Sequence, residues 1–345
     1  MTLPAEWAPQ SAVQLTWPHA NTDWAGMLAE AEACYIDMAR EISLRETLII
    51  VTPEPDHVAG VLEQQLPEAC LNRIRLFECP TDDTWARDHG FITLYNKEGE
   101  AQLLDFRFNG WGQKFAAGND NQICRRMADC SQALGMQGTY KCELDFTLEG
   151  GSIESDGCGT LLTTTECLMA PNRNEPLSQA QIEAELKRRL GAQRVLWLDH
   201  GYLAGDDTDS HVDTLARLCP EDTIAYVQCL NPEDEHYLEL HLMEEQLKTF
   251  RTGDGRPYRL VPLPMAATEY DDEGQRLPAT YANFLVVNGA VLMPTYGHAE
   301  LDNEAKQQLQ KAFPQHEIVG INCRVLIEQH GSLHCCTMQF PEGVF

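Results

Sequence analysis

The groups of this chain that could do chemistry are a cysteine, a histidine and three carboxylates, far apart in sequence and each beside glycine or tryptophan. Cys335 lies in Gly331-Ser332-Leu333-His334-Cys335-Cys336-Thr337, and Asp88 in Trp85-Ala86-Arg87-Asp88. Glu149 lies in Leu148-Glu149-Gly150-Gly151, and His211 with Asp213 in His211-Val212-Asp213. A thiol attacks as its thiolate, and carboxylates gathered near it suit a cationic target, so the combination points to attack on a guanidinium carbon. That carbon is stabilised by delocalisation, and the group stays charged up to a pKa of roughly 12 or above. Asp88 and Asp213 can accept paired N–H bonds from its planar fork. Cys335 then attacks, His211 protonates the departing ammonia and afterwards activates water, and Glu149 orients and charge-stabilises the histidine.

Each residue also has a plainer explanation. Asp88 after Arg87 is what a structural ion pair looks like. Glu149-Gly150-Gly151 resembles a turn before a strand, because glycine takes positive φ without steric penalty. His211 alone would pass for a satisfied core histidine, and Asp206, Asp207 and Asp209 for a solvated loop. Cys335 beside His334 is weak by itself, since a buried cysteine without an electropositive setting or a base is inert.

Composition narrows the partners. The chain has 345 residues, 43% of them hydrophobic, and a formal charge of −28 from 53 acidic against 25 basic residues. That field repels phosphates and attracts small cations, which argues against nucleic acid as a partner. No apolar run spans a bilayer and no basic, then apolar, leader opens the sequence, so a soluble, cytoplasmic protein without membrane association is expected. The 13 cysteines are odd in number, scattered and without a Cys-x-x-Cys pair, which disfavours a disulfide framework or a zinc ribbon. Cys34, Cys70, Cys124, Cys130, Cys167, Cys219 and Cys229 read as small core hydrophobes.

The elements that must position these groups alternate. Asn21-Thr22-Asp23 offers N-caps for a helix through about Arg45, with Met27, Leu28, Ala31, Tyr35 and Met38 on one face, followed by a strand at Leu48–Val51. Ser178 with Gln181 forms a capping box, Gly191 a helix stop, and a strand follows at Arg194 to Trp197. Asn231-Pro232 opens another helix. Hairpin signals stand at Asn96-Lys97-Glu98-Gly99, Asp156-Gly157 and Asn288-Gly289. With no composition break, one α/β domain over residues 1–345 with mixed sheets is expected. There is no dinucleotide glycine fingerprint and no phosphate-cradling loop.

The motifs Trp85-Ala86-Arg87-Asp88-His89-Gly90, Phe108-Asn109-Gly110-Trp111-Gly112, Leu148-Glu149-Gly150-Gly151-Ser152-Ile153, Pro171-Asn172-Arg173-Asn174, Asp207-Thr208-Asp209-Ser210-His211-Val212-Asp213 and Gly331-Ser332-Leu333-His334-Cys335 occur in that order. The set resembles the agmatine deiminases, a branch of the guanidino-group-modifying (pentein) superfamily that also holds bacterial peptidylarginine deiminase. The resemblance covers nearly the whole chain. It implies an α/β pentein fold, a five-bladed pseudo-symmetric αβ propeller around a channel, with no metal and no organic cofactor. It makes Cys335 the nucleophile, His211 the acid and base, Asp88 and Asp213 the guanidinium clamp, and Glu149 the carboxylate behind the histidine. Trp85 matches the aromatic residue along the substrate, and Asp207 an acidic position near the substrate's distal amine. Ser210, Ser152 and Cys336 depart from the commoner pattern of glycine, asparagine and an aliphatic residue. Cys336, on period-2 alternation in a strand, is expected to point away from Cys335.

The tail of the substrate separates the members of this superfamily. The acids at Asp206, Asp207 and Asp209 point to a dicationic substrate, so agmatine is expected over arginine, giving N-carbamoylputrescine and ammonia. Peptidylarginine deiminase is the nearest alternative. A metal hydrolase built on His211, Asp213 and the nearby aspartates, and a silent binding protein on the same fold, are the others. Cys335 is expected to stay protonated until the cation enters. A homodimer is the default for an enzyme of this size.

Overall fold

Between residues 92 and 322 the chain runs four times through one order of elements: a hairpin, a helical crossover, and a strand parallel to the hairpin's second strand. A fifth instance pairs the C-terminal strand with the first strand of the chain. The computed structural model describes residues 1–345 as two units. One comprises Met1, Ala8–Gly150 and His334–Phe345, and the other Thr2–Trp7 and Gly151–Leu333.

In the first unit, Gln10–Thr16 lies antiparallel to Thr337–Pro341 and parallel to Thr47–Thr52, and Ile74–Glu78 adds a further parallel strand. Its other sheet joins Ile92–Tyr95 and Ala101–Arg107 antiparallel, with Thr139–Thr147 parallel. A core that includes Ala12, Ile49, Phe91, Met127 and Phe340 fills the space beneath them. The side chain of Asn96 accepts from the amides of Glu98 and Glu100, and Gly99 at φ +82° completes the turn. The first helix starts where its caps stand: Thr22 accepts from Trp24 N–H, a 3-10 turn spans Asp23–Met27, and the α-helix runs Leu28–Ser43. Ala31, Tyr35, Met38 and Ile42 are its buried face, while Met27 and Leu28 are only half-buried.

The second unit has three sheets of one plan. The antiparallel pairs are Ile153–Ser155 with Thr160–Thr164, Ala216–Cys219 with Thr223–Gln228, and Leu285–Val287 with Ala290–Thr295. Arg194–Leu198, Arg259–Pro264 and Glu317–Asn322 add the parallel strands. The helix Gln179–Leu190 carries the Ser178–Gln181 capping box and ends at Gly191, φ +72°. Arg217, buried within the unit, is bonded to Glu154 at 2.5 Å and Glu6 at 2.8 Å and lies 4.3 Å from the Phe284 ring centre. Burial opposes its charge, but the two glutamates outweigh that and hold its pKa above the ordinary value.

Two element assignments shift. The helix expected at Asn231-Pro232 begins at Tyr237, because the Asn231 side chain accepts from Glu233 N–H and holds a turn instead. Cys335 and Cys336 lie in a 3-10 turn, His334–Cys336, not on a strand, so period-2 alternation does not apply to them. Cys130 is exposed rather than buried, because the helix carrying it ends at Asp129. All 13 cysteines are thiols. No helix is long and apolar enough to cross a membrane.

Candidate active site

The first unit brings together Trp85, Asp88, Glu149 and Cys335. Asp88 sits in the one-turn helix Ala86–His89, with Trp85 at its N-cap against Trp24, ring centres 5.8 Å apart. Arg87 reaches the C-terminal segment, donating to Gln339 Oε1 at 2.6 Å and to the His334 carbonyl at 3.5 Å. It therefore ties the Asp88 helix to the turn that carries Cys335. Gly150 closes the third side. A Cβ there would lie 2.2 Å from the Arg87 carbonyl oxygen and 2.7 Å from Met338 Cε. The glycine after Glu149 thus answers a close backbone approach rather than a positive φ. Asp88, Glu149 and Cys335 are all buried, with Glu149 at 0% exposure.

Two buried residues adjoin Cys335 and Asp88 in sequence. Cys336 is buried against Tyr35 and Cys34, and burial pushes its thiol well above the usual range. It stays protonated and is a poor rival to Cys335. His89, buried with Nε2 3.4 Å from Thr16 Oγ1, is held neutral, its pKa lowered to about 3 by burial.

Asp88 Oδ2 accepts a hydrogen bond from the Trp111 indole N–H at 3.0 Å. Trp111 belongs to an unusual turn. Gly110, Trp111, Gly112 and Gln113 all have positive φ, at 68°, 54°, 82° and 68°, with Gln113 N–H bonded to the Asn109 carbonyl and Lys114 N–H to that of Gly110. This is one turn of left-handed helix, a conformation disfavoured by about 1–2 kcal/mol for each non-glycine residue. The Asn109 side chain caps it, accepting from Gly112 N–H at 2.9 Å.

The second unit holds His211, Asp213 and Asp207. His211 and Asp213, both 0% exposed, flank and enter the 3-10 turn Val212–Thr214. Asp206 organises the approach to them. Its carboxylate accepts from Thr208 N–H at 3.2 Å, Thr208 Oγ1 at 2.6 Å and Ser210 N–H at 2.8 Å, and Thr208 Oγ1 accepts from His211 N–H at 3.0 Å. Burial raises the pKa of Asp206 against these bonds. Arg173 bonds Asp209 at 2.6 Å and the Thr208 carbonyl at 2.9 Å, across the left-handed pair Asp209-Ser210. Asp206 and Asp209 are therefore committed to the loop. Of the three acids expected to read a dication, only Asp207 presents a substantially exposed side chain, 3.9 Å from His330 Nε2.

Each chemical residue stands just before the strand that opens a repeat: Asp88 before Ile92, Glu149 before Ile153, Asp213 before Ala216 and Cys335 before Thr337. Asn283 holds the corresponding place before Leu285, fully buried, with Nδ2 3.4 Å from the Asp213 carbonyl. Sequence reasoning passes over Asn283 and the roles of Trp111 and Arg173, and it assigns Asp206 to the substrate's cation rather than to its own loop. The glycines around Trp111 are the one local signal of its turn.

Five hairpin-crossover repeats, with thiol, imidazole and carboxylates at their opening junctions, define the pentein class of guanidine-modifying proteins. The chain belongs to the Porphyromonas-type peptidyl-arginine deiminase family, whose profile matches residues 2–341. It is similar to the agmatine deiminase of Pseudomonas fluorescens, with 34% identity over 98% of this chain and 95% of the other. Among solved structures, a Porphyromonas gingivalis protein provisionally described as an arginine deiminase shares 54% identity at a TM-score of 0.92, covering 99% of this chain and 98% of that one. A cysteine-to-serine variant of C. jejuni agmatine deiminase with substrate bound shares 35% identity at a TM-score of 0.90, covering 100% of this chain and 98% of that one.

Proposed function

We infer that the chain is an agmatine deiminase, a hydrolase of the C–N bond in a linear amidine, converting agmatine and water to N-carbamoylputrescine and ammonia. The observation that carries this is full-length similarity to agmatine deiminases, one of them solved with substrate bound, in a chain that keeps every chemical residue of the motif set. Residues 1–345 act as one catalytic domain. Asp88 and Asp213 clamp the guanidinium by charge-assisted bonds. The Cys335 thiol passes its proton to His211 as its sulfur adds to the guanidinium carbon. His211 delivers a proton to the departing nitrogen, ammonia leaves, and a thiouronium links the substrate to Cys335. His211 then takes a proton from water, whose oxygen adds to the same carbon, and the C–S bond breaks to give the ureido product and the thiol. Glu149 orients His211. Trp85 packs along the substrate and Asp207 takes the distal ammonium.

A second reading, deimination of free or peptidyl arginine, is favoured by the family's description and by the P. gingivalis structure. The commitment of Asp206 and Asp209 to the loop leaves Asp207 as the chief discriminator of the substrate's tail. Ammonia release from agmatine, L-arginine and a blocked arginyl peptide, with wild type and Cys335→Ala, decides the matter. Turnover of agmatine alone, lost in the variant, is expected; preference for the peptide or for arginine overturns the agmatine assignment. A homodimer and a cytoplasmic location complete the proposal, the latter supported by 13 thiols without a disulfide. Light scattering and cell fractionation check the two.

A further inference from the structure

We propose that Trp111 is a positioning residue that fixes the Asp88 carboxylate for the substrate's guanidinium, an inference that rests on the guanidine-hydrolase reading above. The indole N–H donates to Asp88 Oδ2 at 3.0 Å, with both side chains buried. Burying a tryptophan does not require a left-handed backbone; a strand or an ordinary helix would hide the ring without strain. Here residues 110–113 all take positive φ. A Cβ at Gly110 would come within 2.2 Å of the Phe115 carbonyl oxygen, so the turn admits glycine alone at its first position. Phe108 and Phe115 meet the indole edge-on, with ring centres 5.0 and 5.5 Å away, and hold its plane. What this strained, closely packed turn delivers is one N–H at one carboxylate oxygen.

The chemistry requires such a restraint. A carboxylate takes a guanidinium through two parallel bonds only when the two planes align, and an aspartate rotates about its terminal torsion. An ionised carboxylate has about four lone-pair sites, so occupying one of them with the indole sets the plane and leaves acceptor capacity for the substrate. The inert reading is that Trp111 merely fills the core, in which case its N–H would be dispensable for substrate capture.

The test is a cycle of kcat/KM for ammonia release from agmatine with wild type, Trp111→Phe, Asp88→Asn and the double variant, together with melting temperatures. Trp111→Phe keeps the ring and removes the donor. It is expected to lower kcat/KM about 10- to 100-fold, as for loss of a hydrogen bond to a charged group. In the Asp88→Asn background the same substitution should change kcat/KM by less than about threefold, because the carboxylate it acts through is gone. A loss repeated in full on Asp88→Asn, or a Phe variant as active as wild type, overturns the proposal. If Asp88→Asn is too slow to assay, the same cycle is run as agmatine binding on the Cys335→Ala background. If Trp111→Phe does not fold, Trp111→Leu, which also lacks a donor, is carried through the cycle. A wild type that releases no ammonia from any guanidine overturns the deiminase reading itself, whereas an active wild type with additive losses overturns only the role of Trp111.

Discussion

Asp88 and His211 are held in opposite ways. The Asp88 carboxylate receives a neutral N–H from a tryptophan on a strained turn, and its helix is pinned to the C-terminal segment by Arg87. His211 ends a loop wound around a buried carboxylate, with three donors on Asp206 and an Arg173–Asp209 pair bracing its far side. The first arrangement includes a donor carried on strained backbone; the second is a set of polar contacts around one carboxylate and depends on charge. Side-chain shape should therefore govern how Asp88 is held, and the charge of Asp206 how His211 is held.

The sharpest way to break the first region is Gly110→Ala. It places a methyl against the Phe115 carbonyl at a position with φ +68°, so destabilisation of about 3 kcal/mol is expected by chemical denaturation. Ammonia release should fall at least as far as with Trp111→Phe. Asp206→Ala is the matching break in the second region. It orphans three donors, and about 2–3 kcal/mol of lost stability is expected. Asp206→Asn, which still accepts, should lose less than half of that.

Acid sharpens the contrast by acting with opposite signs. The folded-state pKa of His89 is lowered to about 3, so between the unfolded value near 6.5 and that point the unfolded chain binds the extra proton. Its contribution to stability is present above about pH 6.5 and lost as pH falls. The folded-state pKa of Asp206 is raised, so from about 3.8 upward to that raised value the native state holds the extra proton. Its penalty is felt above that value and relieved as pH falls. Hydrogen exchange between pH 6.5 and 4, corrected for intrinsic rates, should show protection falling over residues 84–90 and holding or rising over 206–211. A parallel fall in both segments would remove the distinction. The smallest effect belongs to Cys336→Val, which removes a thiol that stays protonated. Ammonia release should remain within about threefold of wild type.

Much of the fold was legible because its signals are local. The Ser178–Gln181 box, the Gly191 stop and the turns at Gly99 and Gly289 each reside in a few adjacent residues and sit where composition placed them. The identity of the chemical residues was legible through the ordered motifs. What was hidden depends on partners far along the chain. Nothing near Gly150 indicates that Arg87 and Met338 crowd it, and nothing near Asp206 shows that its carboxylate turns inward to its own loop rather than outward to a cation. Cys336 was read on strand geometry, but the chain reaches its strand one residue later, at Thr337. The turn at 110–113 escapes because two non-glycine residues adopt a conformation that propensity argues against.

The antiparallel pairing of Gln10–Thr16 with Thr337–Pro341 sets a timetable for making this protein. During translation the first strand emerges with Ala12, Val13 and Leu15 ready for burial, while one of its neighbours follows roughly 320 residues later. At about 5–20 residues per second that interval is on the order of tens of seconds, during which one flank of the strand is an open edge able to pair with another nascent chain. The turn bearing Cys335 immediately precedes the late strand, so that thiol comes into register only when the edge closes. Nascent chains short of this segment lack both the cover and the proposed nucleophile, which makes appearance of activity a clock for completion of the first sheet.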